Sequence, residues 1–323
     1  MSDHRRLDQL SRRDLLRSVA LGAGALGVSA LVSACSGKNG GGGGAGGAAP
    51  AGSLKALAAG ATQLSLLGTA GAQSPLPVGR SLFTFGLVTP ENQLLSGGSP
   101  QVWIAKDDTS KALGPFTATS YRMTAYAATH DKSPATELTT FYGAEVEVPS
   151  PGNWLVVAVT TLNGQRVAAQ GAAPVSSKVI GAVGSKALSE PTPVATSEAA
   201  RAKICTRNPP CTMHYVSLDK ALRSGKPTVV SFATPLLCQS RMCGPVVDEQ
   251  LVTFQRVGAV KANFIHVEEY PTRDPSKPAK AFSAWGFQTE PWVFVIDRRG
   301  IIRARFMGPV TAAQIEDALH PLL

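Results

Sequence analysis

Apolar and polar residues follow different periods in two long stretches of the 323-residue chain. In the first, residues 64–173, short apolar runs end at turn residues, and some alternate with polar positions as a half-solvated strand requires. These runs predict strands at residues 82–88, 101–105, 144–148, 154–160 and 165–168. Asn163-Gly164 is typical of a tight hairpin turn between the last two strands. The stretch therefore predicts an all-β domain, a small sandwich.

The second stretch, residues 201–323, mixes helical and extended periods. Helices are predicted at residues 218–223, 244–257, 279–285 and from 311 onward, and strands at 228–233, 260–267, 292–296 and 301–306. The run 228–233 is continuously apolar, as in a strand buried on both faces. Thr311 and Gln314 predict a capping box at the start of the last helix. A strand–helix–strand unit followed by a hairpin indicates an α/β domain with a mixed sheet.

Three other segments show neither period. Residues 36–63 are rich in Gly and Ala, a composition that predicts a disordered, flexible tether. Residues 174–200 are dominated by Pro, Ser and Ala and predict a second linker. Residues 1–35 carry five arginines ahead of an uncharged run at 18–34, which is the order of regions in a secretory signal.

Within this signal, residues 11–17 resemble a twin-arginine export motif, and Val32-Ser33-Ala34-Cys35 resembles a bacterial lipobox. The resemblance implies that Cys35 is lipidated and anchors the chain to the extracytoplasmic face of the cell membrane. The alternative is an ordinary cleavable signal with a chance cysteine. If Cys35 carries lipid, four of the five cysteines remain, and they lie in an oxidising compartment where disulfides persist.

The four remaining cysteines fall into two closely spaced pairs. Cys205 and Cys211 flank a Pro-Pro turn, and this short loop predicts a structural disulfide. Cys238 lies in the loop before a predicted helix, and Cys243 lies at its start, where the helix dipole lowers the pKa of a thiol. This placement predicts a redox-active pair, with a permanent structural disulfide as the alternative. Four cysteines allow three connectivities, so a cross-linked arrangement also stays open.

The element order and three local matches resemble the thioredoxin fold, especially the membrane-tethered thioredoxin-like proteins of bacterial envelopes. Strand 228–233 leads into Cys238, and Cys243-Gly244-Pro245 opens a helix. Residues 286–297 look like the family's cis-proline segment, with Pro291 as the proline. The resemblance implies that Cys238 and Cys243 are catalytic and that Pro291 holds substrate peptides.

Two features depart from the thioredoxin pattern. Four residues separate Cys238 from Cys243, where the family usually has two. Ser231 stands near the position of the buried acid that assists proton transfer in reductases of the family. The identity of the attacking thiol therefore stays open, with chain order favouring Cys238.

The first domain carries a resemblance of its own. Residues 141–154 resemble the final hairpin of immunoglobulin-like accessory domains in bacterial envelope proteins. This implies an immunoglobulin-like sandwich with a spacer or protein-binding role. His130 lies in a polar loop of this domain and is predicted to be a surface residue.

These patterns predict an envelope-anchored lipoprotein that exchanges thiols and disulfides with other exported proteins and uses no cofactor. One alternative is a non-enzymatic interaction module in which both disulfides are structural. A second is copper delivery, because Cys238, Cys243, Met242 and His266 supply soft ligands. The strand pattern around His266 instead favours a satisfied core histidine, so no metal is predicted. His214 and His320 show no partner in the sequence and are interpreted as incidental.

The formal net charge of +9 does not predict nucleic-acid binding. Residues 1–35 contain five basic and three acidic residues, so a charge of +7 remains beyond them. The basic residues of the last domain are scattered and are not aligned with aromatic residues. Attraction to anionic lipid headgroups is the simpler consequence of this charge.

Overall fold

The structure is a computed structural model that describes residues 49–125, 140–238 and 242–323. The export signal with Cys35, half of the Gly-rich tether, and His130 lie outside these residues. What the sequence predicts for them therefore stays a prediction. Within the described ranges, no helix is both long enough and apolar enough to cross a membrane. All of these residues belong to one compact unit.

Residues 49–125 and 140–176 form one short helix followed by nine strands. The elements are α1 Leu54–Ala58, β1 Thr62–Gly68, β2 Leu76–Pro77, β3 Gly79–Val88, β4 Leu94–Leu95, β5 Gln101–Ala105, β6 Leu113–Arg122, β7 Thr140–Val148, β8 Gly152–Leu162 and β9 Gln165–Ser176. Each of the five predicted strands is present, and Asn163-Gly164 forms the turn between β8 and β9. Sequence prediction misses β6 because most of its side chains are exposed, so it shows no apolar run.

The strands of this region pair into a closed ring. β1, β3, β7, β6, β5, β8 and β9 are hydrogen-bonded in that order, and β9 returns alongside β1 in parallel. Closure leaves these strands without a long unpaired edge. Phe83, Phe85 and Tyr142 stack inside, with 5.5 Å between the centroids of neighbouring rings. The predicted immunoglobulin-like sandwich is not confirmed, because a single barrel-like sheet takes the place of two separate sheets.

Two segments of linker-like composition are ordered where the structure describes them. The end of the predicted tether forms α1, whose N-terminus is capped by Ser53 and which packs on the barrel. Residues 177–197, most of the predicted second linker, run along the C-terminal domain, where the carbonyl of Ser185 accepts a 2.9 Å hydrogen bond from the N–H of Ile302. Composition misses such contacts because an extended chain can satisfy its backbone against a neighbouring strand without any apolar period.

Residues 198–238 and 242–323 form the predicted α/β domain. Its elements are α2 Glu198–Arg201, α3 Leu218–Ala221, β10 Thr228–Phe232, α4 Cys243–Val257, β11 Asn263–Val267, α5 Lys280–Trp285, β12 Trp292–Ile296, β13 Ile302–Met307, α6 Ala312–Leu319 and a final 3-10 turn, His320–Leu322. The strands pair in the order β11-β10-β12-β13, with β10 parallel to β11 and antiparallel to β12. This is the mixed sheet that the sequence predicts, with the strand–helix–strand unit followed by a hairpin.

Helices cover both faces of this sheet. Successive residues of a strand point to opposite faces, so Val229 packs with α4 and α6 while Val230 packs with α3 and α5. The capping box predicted at Thr311 and Gln314 is present at the start of α6. Because every residue of β10 is buried, the loop that follows it starts from a firmly packed strand end.

Arg305 of β13 lies where the barrel, the segment 177–197 and the α/β domain meet. Its guanidinium stacks on the ring of Trp292 at 4.6 Å. It also donates hydrogen bonds to the carbonyl oxygens of Ile180 at 2.9 Å and Pro75 at 3.4 Å. Burial lowers the pKa of Arg305 to about 10. One partly buried cation therefore connects three parts of the chain.

Candidate functional site

The first candidate site is the disulfide between Cys238 and Cys243, whose Cα atoms are 6.0 Å apart. Cys238 follows β10 in a turn, where its N–H donates to the carbonyl of Thr234 at 3.0 Å. Cys243 is the first residue of α4 and is fully buried, whereas Cys238 is partly exposed. Cys238 is therefore more accessible than Cys243 to a thiol from outside.

The start of α4 suits the sulfur of Cys243 as a thiolate. Met242 occupies the N-cap position and makes no side-chain hydrogen bond to the helix. The first-turn N–H groups and the dipole of this 15-residue helix favour negative charge at that end. Cleavage of the disulfide with Cys243 as the leaving group puts the new charge where the helix stabilises it.

Glu290 supplies a carboxyl group beside the disulfide. One of its oxygens and the sulfurs of Cys238 and Cys243 all lie within 4.8 Å of one another. Burial, with a contribution from the charge of Glu269, raises the pKa of Glu290 to about 8, close to the ordinary value of a thiol. Its Oε2 has no hydrogen-bond partner among the described residues. The carboxyl group can therefore hold a proton next to the sulfurs and release it to them.

Sequence reasoning looked for this acid near Ser231 and missed Glu290. Ser231 is buried in β10, and its hydroxyl has no hydrogen-bond partner in the part of the chain that the structure describes. Glu290 comes from the loop before β12, and its peptide bond to Pro291 is cis, as the resemblance implies. The available signal was an ionisable residue directly before the expected cis-proline.

A pocket of about 280 Å³ opens at Cys238. Leu237, Glu269 and Tyr270 line it together with Cys238 and the loop of Glu290. The N–H of Glu269 donates to Thr234 Oγ1 at 2.7 Å, and burial raises the pKa of this carboxyl group. The hydrogen bond with Glu269 raises the pKa of Tyr270 to about 12. The mouth of the pocket thus gives a thiol access to Cys238 between polar side chains.

A larger cleft of about 410 Å³ lies between the barrel and the loop that carries Pro291. Its barrel wall includes Leu67 and Leu94, and its opposite wall includes Met242 and Pro291. Leu67 is 58% exposed, which is high for a leucine. An exposed apolar wall next to a disulfide suits the apolar side chains of an extended polypeptide.

The second cysteine pair differs from its prediction. Cys205 and Cys211 are buried thiols whose sulfur atoms are 3.9 Å apart, so the structural disulfide expected across the Pro-Pro turn is not formed in the structure. The sulfurs face His266 of β11 instead. Its Nδ1 lies 3.3 Å from Cys211 Sγ and 3.8 Å from Cys205 Sγ. Spacing alone misses this arrangement because the imidazole comes from a strand far along the chain.

Two histidines belong to this second group. His266 is buried, as the strand pattern predicts, and its Nε2 lies 2.9 Å from the carbonyl oxygen of Ala233. His214 is not incidental, because it is only 2% exposed and one of its ring nitrogens joins the same group of atoms within 4.8 Å. The ligand set of the copper alternative is not brought together, since His266 groups with Cys205 and Cys211 rather than with the Cys238–Cys243 disulfide.

Proton sharing links the members of this group. A hydrogen bond with Cys211 lowers the pKa of Cys205 against the effect of burial, and the same contact, with burial, raises the pKa of Cys211. Burial alone lowers the pKa of His266, but the hydrogen bond to Cys205 and the charge of Glu268 outweigh it and raise that pKa to about 9. Burial lowers the pKa of His214. The hydrogen bonds of this group therefore favour negative charge on Cys205 and positive charge on His266.

Comparisons with known proteins give distant matches. No protein-family model matches the chain, and no curated protein matches it. A secreted thiol-disulfide isomerase from Corynebacterium glutamicum is similar at 14% identity and a TM-score of 0.27, over 33% of this chain and 75% of that one. A thiol:disulfide interchange protein of the thioredoxin family from Chlorobium tepidum is similar at 18% identity and a TM-score of 0.26, over 42% and 99%. The Lin-41 filamin domain is similar at 12% identity and a TM-score of 0.20, over 36% and 96%. The description of residues 198–238 and 242–323 as an α/β domain with a mixed sheet rests on the strand order and not on these scores.

Proposed function

We propose that this protein is an extracytoplasmic thiol–disulfide oxidoreductase that exchanges its Cys238–Cys243 disulfide with thiols and disulfides of other exported proteins. One observation carries the proposal: a partly exposed sulfur, a buried sulfur at a helix start and a carboxyl group with a raised pKa meet at one point. A disulfide that only pins a loop needs neither the acid nor the adjoining cleft, whereas an exchange site uses both.

The two sulfurs have unequal roles in the exchange. A substrate thiolate attacks Sγ of Cys238, the bond to Cys243 breaks, and a mixed disulfide forms between the substrate and Cys238. Cys243 leaves as a thiolate at the start of α4 and takes the proton of neutral Glu290. A second substrate thiolate then attacks the substrate sulfur of the mixed disulfide and releases Cys238. Two electrons pass from the substrate dithiol to the protein disulfide, and the reverse sequence reduces a substrate.

The barrel forms one side of the substrate site in this proposal. An extended peptide that binds along Pro291 lies in the cleft whose far wall includes Leu67 and Leu94. Apolar side chains of an incompletely folded protein are buried there next to the disulfide. The barrel therefore serves as a peptide-binding wall rather than as a plain spacer.

Membrane attachment completes the proposal. A lipid on Cys35 holds the chain at the extracytoplasmic face of the membrane. The tether predicted over residues 36–63 retains residues 36–48 ahead of the described part of the chain, and their Gly-rich composition predicts flexibility. A Gly-rich tether of this length has a mean reach of about 20 Å. The substrates are then exported proteins that come within this distance of the bilayer surface.

Thiol trapping across a glutathione redox series tests the exchange activity on the chain without its export signal. We expect the bridge to be half-reduced between about −120 and −270 mV, the range of exchange proteins. Cys243→Ser should accumulate a mixed disulfide with a peptide substrate, and its matched control Cys238→Ser should not. A bridge that stays oxidised below about −300 mV, with no mixed disulfide, indicates the non-enzymatic interaction module instead.

A further inference from the structure

A second chemical site lies in the α/β domain in addition to the redox disulfide. Cys205, Cys211, His214 and His266 are each no more than 2% exposed, and one ligand atom from each lies within 4.8 Å of the others. The first three come from the chain before α3, and His266 comes from β11. Two thiols and two imidazoles are the ligand set of many tetrahedral zinc centres.

The distances between these atoms agree with one cation at their centre. With metal–sulfur bonds of about 2.3 Å and metal–nitrogen bonds of about 2.0–2.1 Å, tetrahedral geometry separates two sulfurs by about 3.8 Å and a sulfur from a nitrogen by about 3.5 Å. The two Sγ atoms here are 3.9 Å apart, and Nδ1 of His266 lies 3.3 and 3.8 Å from them. A disulfide needs about 2.05 Å between its sulfurs.

His266 is oriented as a metal ligand. Its Nε2–H donates to the carbonyl oxygen of Ala233 at 2.9 Å, so Nδ1 faces the sulfurs. The carboxylate of Glu268 lies 3.7 Å from the same Nε2 and accepts hydrogen bonds from the N–H and hydroxyl of Thr206. Backbone carbonyl and carboxylate partners of this kind fix the ring position of metal-binding histidines. The surroundings needed for ligation by His266 are therefore already built.

His214 gives a second, independent indication. It is 2% exposed, and its Nε2 has no hydrogen-bond partner within the described residues. Its ring centroid lies 5.0 Å from that of His266. A buried imidazole with an unpartnered nitrogen is costly, and a cation bound by Nε2 would compensate for the cost.

We propose that Cys205, Cys211, His214 and His266 bind one structural zinc ion. Two thiolates neutralise a divalent cation, so the centre with two neutral imidazoles carries no net charge. The same ligands around Cu⁺ carry a net negative charge beside Glu268, which is unfavourable in a buried site. Zinc binding displaces the protons of the two thiols. It ties the segment before α3 to β11 and keeps both sulfurs out of disulfide chemistry.

Metal analysis of the purified chain, isolated with a thiol reductant and without chelator, tests this site. We expect about one zinc per chain in the wild type and in Cys238→Ser/Cys243→Ser, the matched control that removes the other pair. Cys205→Ser/Cys211→Ser should retain less than about a tenth of that amount. Cobalt(II) added to the metal-free wild type should give the visible absorption of tetrahedral cobalt thiolate, and this absorption should be absent in the Cys205→Ser/Cys211→Ser variant.

A gentler variant guards against a folding defect. His214→Gln keeps both thiols, and we expect it to bind zinc at least about tenfold more weakly in a chelator competition, with an unchanged far-ultraviolet circular dichroism spectrum. The proposal is overturned if the reduced, folded wild type takes up no zinc from zinc chloride. Full zinc retention by Cys205→Ser/Cys211→Ser, or a stoichiometric Cys205–Cys211 disulfide in protein taken from the envelope, also overturns it.

Discussion

Two cysteine pairs of nearly equal spacing lie in different chemical surroundings. Cys238 and Cys243 are five positions apart, and Cys205 and Cys211 are six. The first pair spans a helix start, has one partly exposed sulfur and lies beside a carboxyl group. The second is buried with two imidazoles. The neighbours that the fold brings to a sulfur, more than its spacing in the sequence, decide between electron exchange and cation binding.

The largest expected contrast between the pairs is in exchange activity. Cys238→Ser removes the accessible sulfur and should lower the rate of disulfide exchange with a reduced peptide at least about 10³-fold. His214→Gln changes the surroundings of the other pair and should leave this rate within about twofold, because separate sites act independently. Stopped-flow fluorescence of the peptide measures both rates. Equal losses in the two variants contradict the division of labour.

The acid beside the first pair should have the next largest effect. Glu290→Gln keeps the shape of the side chain but cannot supply a proton to Cys243, so we expect exchange to slow about 10²-fold at pH 7. The wild-type rate should change across a pKa near 8, and the variant should lose this transition. Rates from pH 5 to 10 provide the profile, with the exposed Glu91→Gln as control. An unchanged profile in Glu290→Gln contradicts the role of this carboxyl group.

Removal of zinc should affect stability and not redox chemistry. An ion present at about 100 times its Kd stabilises the folded state by about 2.7 kcal/mol. A chelator should therefore lower the Tm by about 5–10 °C. The midpoint of the Cys238–Cys243 glutathione titration should stay where it is. Calorimetry measures the Tm and thiol trapping measures the midpoint on the same sample. A Tm that does not change when the chelator is added argues against a structural ion.

Glu290 also gives the stability a pH dependence of defined sign. Its pKa is raised from the ordinary 4.5 to about 8 in the folded chain, so between these values the folded state binds more protons than the unfolded state. The free energy of unfolding should therefore fall as pH rises from about 4.5 to about 8. Urea unfolding at several pH values measures this slope, and Glu290→Gln should make it shallower. A slope of the opposite sign assigned to this residue is incompatible with a partly buried acid whose pKa is raised.

The smallest expected effect is the change in KM caused by a substitution in the barrel wall of the cleft. Leu67→Asp should raise the KM for an apolar peptide about three- to tenfold, because part of an apolar contact worth about 1.5–3 kcal/mol is lost. The reduction potential of the disulfide should not change. Leu113→Asp is the matched control, since Leu113 is an exposed barrel leucine that does not line this cleft. Equal KM values for the two variants contradict a substrate role for the barrel.

Local pattern predicts local structure well in this chain. The strand at 292–296 and the capping box of Thr311 and Gln314 lie where the sequence puts them, because each depends on neighbouring residues. The pairing of β1 with β9 joins segments that are far apart in the sequence, and no local pattern indicates it. A sandwich and a barrel can therefore show the same pattern of strands along the chain.

The candidate sites show the same division. The start of α4 places Cys243 from the sequence alone, because Gly244 and Pro245 mark the beginning of a helix. Glu290 and His214 reach their sulfurs only through the tertiary fold. The sequence signal for Glu290 was its position directly before Pro291, and His214 lies in no motif. The prediction of a Cys205–Cys211 disulfide considered two thiols by themselves and so could not include the imidazole of His266.

The position of Arg305 has a consequence for any attempt to separate the barrel from the α/β domain. Its guanidinium is held by a ring of the α/β domain and by carbonyl groups of the barrel side and of the segment between them. Excision of the barrel removes the carbonyl of Pro75 from that cation, and excision of the α/β domain leaves the carbonyls of Pro75 and Ile180 without their donor. The barrel and the α/β domain therefore pack against each other and are not independent modules joined by a flexible linker. The distance between them is set by this shared packing.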